Sequence, residues 1–389
     1  MGILALGVAL KRMDEGSRRL LALALSLVAI WAVFQVLTGG LFLTPRNFYN
    51  LAVQSSTVAV LTIGMVMVIM TRNIDLSVGS ILGLTGMVIA LLQIEVFPAD
   101  AAWNWPLTVL LGLALGTVIG LWQGFLVAYI GIPSFVVTLA GLLIFRGATF
   151  EVAQGQTLSP FQNIYRIFGG GAAGSLGETA SWIVAALCAG IAGILIMRAR
   201  RDRLLLVTTA LGIAGLVAAV AMFNAYDRPR SELGHGIPST ILILGCLAAI
   251  AVFVMRRMPI GTHILAVGKD VEAARLVGVP TRRVVLKVFA AMGALCAVGA
   301  IITTARLNAG TTNLGTLMEL NVIAAAVIGG ASLDGGRGSI IGGVLGAFVI
   351  QSLDTGLVLL GVSSSMRQIL IGFVLIGAVW FDRVAARHR

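Results

Sequence analysis

The sequence predicts an all-α, polytopic membrane protein with about 12 transmembrane helices (10–12) and both termini cytoplasmic. Three observations predict it. Mean hydropathy is +1.01 and only 11% of the 389 residues are charged, where a soluble domain carries about 25%. Apolar residues arrive in long runs: Leu20–Leu37, Leu51–Met70, Leu107–Tyr129, Trp182–Met197, Leu204–Phe223 and Thr240–Met255. A helix rises about 1.5 Å per residue, so a run of about 18 or more such residues matches bilayer hydrocarbon. Third, Lys and Arg segregate when the runs are threaded back and forth.

In chain order the candidate spans are about 20–43, 51–70, 77–96, 107–129, 134–152, 181–197, 204–223, 239–255, 284–304, 317–332, 339–360 and 367–381. The first follows Lys11, Arg12, Arg18 and Arg19, an arrangement shared with signal peptides. It is too long for a signal h-region and no small-x-small cleavage site ends it, so it reads as an uncleaved helix. The third, fifth and tenth are rich in Gly and polar residues. With the N-terminus inside, 20 of the 27 Lys and Arg fall on the cytoplasmic side, six fall outside and Arg146 sits near a span end. The opposite orientation inverts this positive-inside bias. The +11 formal charge therefore reflects membrane orientation rather than nucleic-acid binding. Cys188, Cys246 and Cys296 lie within apolar runs and form no disulfide or metal pattern. No metal site is expected.

One polar segment interrupts the apolar sequence. Arg256–Arg283 is the longest expected cytoplasmic loop. Pro259 and Gly261 are expected to break the chain after the eighth span. From Asp270 to Val277 a short helix is expected: Asp270 and Glu272 suit its N-terminal dipole, Ala273, Ala274 and Arg275 continue it, and Gly278 and Pro280 stop it. Two turns alone in water are marginal, so this helix needs a surface to pack on.

Four stretches carry a resemblance. They are "NIDLSVGSILGLTG" (Asn73–Gly86), "IPSFVVTLAGLLIFRGA" (Ile132–Ala148), "AVGKDVEAARLVGV" (Ala266–Val279) and "ELNVIAAAVIGGASLDGGRGSIIGGVLGAF" (Glu319–Phe348). In this order they resemble the permease family of ribose-, xylose- and galactoside-type ABC sugar importers. The extra apolar pair at about 181–223 is similar to the longer xylose-type members. The first motif departs from the family, which usually has Gly where Arg72–Asn73 stand. The resemblance implies a bacterial inner-membrane permease without an ATPase site of its own. It implies two copies of this chain, two cytoplasmic ATPase subunits that use ATP, and an extracytoplasmic sugar-binding protein. It makes "EAARLVG" (Glu272–Gly278) an EAA-type coupling segment: Glu272 contacts the ATPase, Ala273 and Ala274 let the helix seat closely, and Asp270, Arg275 and Gly278 complete it. Within the same architecture a branched-chain amino acid permease is the alternative, and a self-sufficient secondary carrier is a second.

"DLSVGSILG" (Asp75–Gly83) and "DGGRGSIIG" (Asp334–Gly342) echo each other and suggest two related halves. Asp75, Gly79, Asp334 and Gly338 are read as capping and turn residues near the inner surface. Glu319, Asp334, Asp354 and Arg146 fall at span ends, and no span carries a charge at its centre. That disfavours an ion-coupled carrier and fits an uncharged polar solute. Gln54, Ser55, Ser56, Thr57, Gln123, Ser134, Thr138, Asn308, Thr312, Asn313, Asn321 and Gln351 could line its passage, or simply bond neighbouring helices. Gly112, Gly116, Gly120 and Gly124 recur every four residues and are expected to form a smooth packing stripe.

Two nucleotide-like motifs fail. "GGGAAG" (Gly169–Gly174) has no strand before it and reads as part of a flexible external loop at about 153–180. In "GTHILAVGKD" (Gly261–Asp270), Asp270 stands where Ser or Thr should follow Lys269. No cofactor is expected on this chain. His235, His263 and His388 have no ligand spacing.

Overall fold

The computed structural model describes residues 15–198, 203–228 and 233–387. Lys11, Arg12, Arg200, Arg201, Arg230, His388 and Arg389 lie outside the described residues. The described chain forms fourteen α-helices and no β-strand. They are α1 (Glu15–Leu37), α2 (Pro45–Met70), α3 (Val78–Leu91), α4 (Asn104–Phe125), α5 (Ser134–Ala153), α6 (Glu178–Arg198), α7 (Arg203–Asn224) and α8 (Ser239–Arg257). Two short helices follow, α9 (Pro259–Lys269) and α10 (Val271–Leu276), then α11 (Thr281–Leu307), α12 (Met318–Ile328), α13 (Ile340–Leu359) and α14 (Ser364–Arg387). A π-helical turn extends α3 to Val96 and another extends α4 to Ile130.

Among the described residues, eight helices are long and apolar enough to cross a membrane: α1, α2, α3 and α4 with their extensions, α5, α8, α11 and α13. The expected span at 317–332 is corrected. Its helix, α12, has 11 residues and rises about 16 Å, half of the roughly 30 Å hydrocarbon layer.

The other half of that depth is irregular chain. Asn308 ends α11 in the left-handed conformation at φ 54°. The following segment runs back along α3, passing from Ala90, which Gly310 touches, to Gly79, which Gly315 touches. Gly79, Gly83 and Gly86 give α3 a face without side chains, and a Cβ on Gly79 would overlap the Gly315 carbonyl oxygen. Irregular backbone in a bilayer is tolerated only inside protein; this groove buries Gly310, Leu314 and Gly315, while Asn313, Thr316 and Leu317 are exposed. Arg146 of α5 donates to the Leu314 carbonyl at 2.8 Å.

Helix α2 is the axis of the bundle. Its apolar window is 94% buried, against 11% for α1, and it touches α8, α11, α12 and α13. The glycine stripe on α4 packs within the chain. Gly116 and Gly120 face Gly293 and Phe289 of α11 so closely that a Cβ at either would overlap a backbone oxygen. Gly124 meets Leu286 and Phe289, while Gly112 meets Ile89 of α3.

The expected flexible loop is pinned down. Tyr165 is buried, stacks on Phe161 at 4.7 Å and shares a 2.8 Å hydrogen bond with Thr304. Gly169 lies against the backbone of Ala305 and Arg306, and the Gly171 amide donates to the Tyr49 hydroxyl at 2.8 Å. Gly169 and Gly174 serve close approach to backbone, while Gly171 has open space around it.

Gly120→Leu is expected to lower the thermal midpoint in detergent, with overpacking costing about 1–3 kcal/mol or more. Gly190→Leu, where a Cβ meets nothing within 4 Å, should stay within about 0.5 kcal/mol of the parent. Equal midpoints for the two variants would exclude the α4–α11 contact.

Candidate functional site

The segment after α8 builds a compact elbow rich in Lys and Arg. The expected break after the eighth span is present: α8 ends at Arg257, Met258 is extended, and Pro259 at once starts α9, a helix the sequence reading did not expect. Proline suits the first helical position, where its missing N–H is not needed. Gly261 allows the sharp fold-back, because a Cβ there would overlap the Met255 carbonyl. Gly261, Ile264, Val267 and Gly268 are the buried face of α9.

Asp270 then caps α10. Its carboxylate accepts from the amides of Glu272 at 2.9 Å and Ala273 at 3.0 Å. The other end closes as a Schellman turn. Gly278 has φ +84°; its amide donates to Arg275 O at 3.0 Å, and the Val279 amide donates to Ala274 O at 3.0 Å. Ala274 alone faces the bundle; Val271, Glu272, Ala273 and Arg275 are exposed. So Ala274 seats the helix on its own chain, while Glu272, Ala273 and Arg275 look away.

Two residues escaped the sequence reading. Leu276 is 88% exposed and Val277 79%, at the tip of a charged loop. The signal was legible: an apolar pair directly before a helix-ending glycine in an otherwise charged loop.

A second assembly ties the elbow to the bundle. Arg72, just after α2, has φ +61°. Its Nε donates to the Asp334 carbonyl at 2.9 Å and its Nη2 to the Lys269 carbonyl, the end of α9, at 2.7 Å. The Gly336 amide donates to Met70 O at 3.0 Å. Gly268 lies against that same oxygen so closely that no Cβ fits. A cleft of about 780 Å³ opens beside this junction, lined in part by Arg72, Tyr129, Glu272, Arg275 and Arg283.

The two echoing motifs differ in role. Asp75 is buried; its Oδ1 accepts from the Ser77 amide at 2.8 Å and hydroxyl at 2.6 Å, fixing the turn into α3. Asp334 is exposed and caps nothing: Ser339 caps α13 by accepting from the Gly342 amide at 3.1 Å. The capping role read for Asp334 is therefore corrected, since five residues separate it from Ile340, the helix start. Gly338 packs against Met70.

Three of the candidate passage residues gather at the Asp75 turn. Gln123 donates to Ser77 Oγ at 2.8 Å, Thr138 donates to the Ile74 carbonyl at 3.2 Å, and Ser134 accepts from the Ile74 amide at 3.4 Å. Ser56 bonds its own helix at Ala52, and Gln351 donates to Gln54 at 3.3 Å. Asn308 accepts from the Phe161 amide at 3.1 Å. Asn313 is exposed on the irregular segment and Asn321 half-buried on α12. Glu319, expected at a span end, is buried at the start of α12 beside Gly79. Asp354 pairs with Arg367 at 2.7 Å. Among the described residues no three His, Cys, Asp or Glu cluster as metal ligands.

A bundle of apolar helices with a half-span at depth and a capped elbow on its basic face defines a class: integral-membrane transport proteins. The chain belongs to the family described as branched-chain amino acid transport system / permease component, whose profile matches residues 47–174 and 167–379. It is 38% identical over 373 residues to the xylose transport system permease protein XylH of Haemophilus influenzae, covering 92% of this chain and 94% of that one. The protein of the same name in Escherichia coli is 37% identical over 379 residues, covering 93% and 91%. The ribose import permease protein RbsC of Escherichia coli is 31% identical over 359 residues, covering 92% of each chain. No solved structure matches.

Replacing Asp270 with Ala should weaken α10 by about 1 kcal/mol, the usual worth of an N-cap. The check is hydrogen exchange at the Glu272 and Ala273 amides, which should speed up in Asp270→Ala and stay slow in Asp270→Asn. Unchanged exchange in Asp270→Ala would remove the cap.

Proposed function

We propose that this chain is the membrane-spanning permease subunit of an ATP-driven importer for a monosaccharide, xylose or a related sugar, in the bacterial inner membrane. The relatives named for xylose and ribose transport align along nearly the whole chain, which favours a sugar over a branched-chain amino acid as cargo. The energy source is a separate pair of ATPase subunits. A binding protein outside delivers the sugar, and two copies of the permease form the path between them.

The observation that carries the coupling role is the pair Leu276 and Val277, held out by the Asp270 cap and the Gly278 turn. An apolar pair on a two-turn knob suits a groove on a soluble partner, with Glu272 and Arg275 as flanking charges. Closure of the ATPase pair on ATP would move the two elbows together and bias the bundle between outward- and inward-facing states. Along the path, the irregular Asn308–Leu317 segment and α12 bring amide and hydroxyl groups to membrane depth. Such groups can replace the hydrogen bonds that a sugar makes with water, as broken helices do in other transporters.

Leu276→Ser together with Val277→Ser should reduce capture of the ATPase subunit about tenfold or more without changing the thermal midpoint, since both side chains are already in water. Undiminished capture would exclude this elbow as the docking element. Uphill uptake by the chain alone in liposomes would exclude the ATP-driven reading altogether.

A further inference from the structure

We propose that Arg72 is the positioning residue that transmits motion of the docking elbow to the core helix α2. This rests on the coupling role proposed for α10.

Arg72 stands where two helices end. Its backbone follows α2 directly, and its guanidinium reaches the last carbonyl of α9, Lys269 O, and the Asp334 carbonyl of the turn before α13. Helix C-termini carry partial negative charge, which a fixed cation neutralises. The planar fork of arginine can span two carbonyls at once; a lysine ammonium lacks that geometry. The docking helix α10 begins one residue after Lys269, at the Asp270 cap. A displacement of α10 therefore pulls on Lys269, and Arg72 passes it to α2.

Contacts around the clamp have little slack. Gly268 and Gly336 both press on Met70 O, and Gly335 sits against the Arg72 side chain. Because α2 is the most buried of the eight candidate membrane helices, a shift at its end reaches α8, α11, α12 and α13. The backbone of Arg72 is left-handed, at φ +61°, a conformation that glycine adopts far more readily. Arginine here is held against its conformational preference while its side chain makes both bonds.

That conflict supplies the test. Arg72→Gly relieves the backbone and removes the clamp. Reconstituted with its ATPase and binding proteins, it should keep its thermal midpoint at or above that of the parent and capture the ATPase subunit equally well. Sugar-stimulated ATP hydrolysis and uptake should nevertheless fall about fivefold or more, at the weak end of typical coupling between sites. Arg72→Lys, which retains one bond, should fall between. Parental stimulation and uptake in Arg72→Gly would overturn the clamp. So would a stimulation loss matched by a lower midpoint, because Arg72 would then be a fold residue. Failure of the unaltered chain to capture any ATPase subunit would instead overturn the coupling role of α10, and the clamp with it.

Discussion

Backbone amides and carbonyls cannot go unpaired in hydrocarbon, where each would cost several kcal/mol. This constraint organises the whole molecule. Helices satisfy it unaided, which is why every candidate membrane span among the described residues is a helix. Between Asn308 and Met318 regular structure gives way, and there the glycine face of α3 packs against Leu314 and Gly315. Arg146 supplies a donor to Leu314 O that no helix could.

The same economy of side chains governs the packing. Where two backbones meet at van der Waals distance, as α4 and α11 do along Gly116, Gly120 and Gly293, no hydrophobic force between helices is needed. Lipid tails are as apolar as leucine, so dispersion and close fit hold such helices together. Rigidity follows, because smooth contacts of this kind have one register. On the basic face the rule reverses. There water competes for every hydrogen bond, and structure depends on caps and charge: the Asp270 cap, the Gly278 turn, and Arg72 joining the ends of α9 and α2.

Much of this was legible from residues alone. Asp270 and Gly278 declared both ends of α10 because each has a chemical reason to stand there. The glycine stripe at 112–124 declared a packing face, though the choice between an internal partner and a second copy needed the fold. Gln123, Ser134 and Thr138 were visible as polar groups among apolar ones, yet nothing in their spacing tied them to the Asp75 turn. Proline and glycine at 259–261 marked the break after α8 but not the helix that follows it, since the same residues that break a helix also start one and permit a tight fold-back. Ten to twelve spans could be counted, but an eleven-residue helix followed by glycines is indistinguishable in composition from a full crossing.

What the sequence determined by itself was the solvent, the helical class, the sidedness bias and the family motifs. Hydropathy and charge are additive over the chain and need no neighbours. Only the tertiary structure decided which glycines meet backbone, that residues 308–317 lie in the groove of α3, that Ala274 faces in while Leu276 and Val277 face out, and that Arg72 grips two distant carbonyls. These depend on distances between residues far apart in the chain, and such distances are set by how the helices pack rather than by what each one contains.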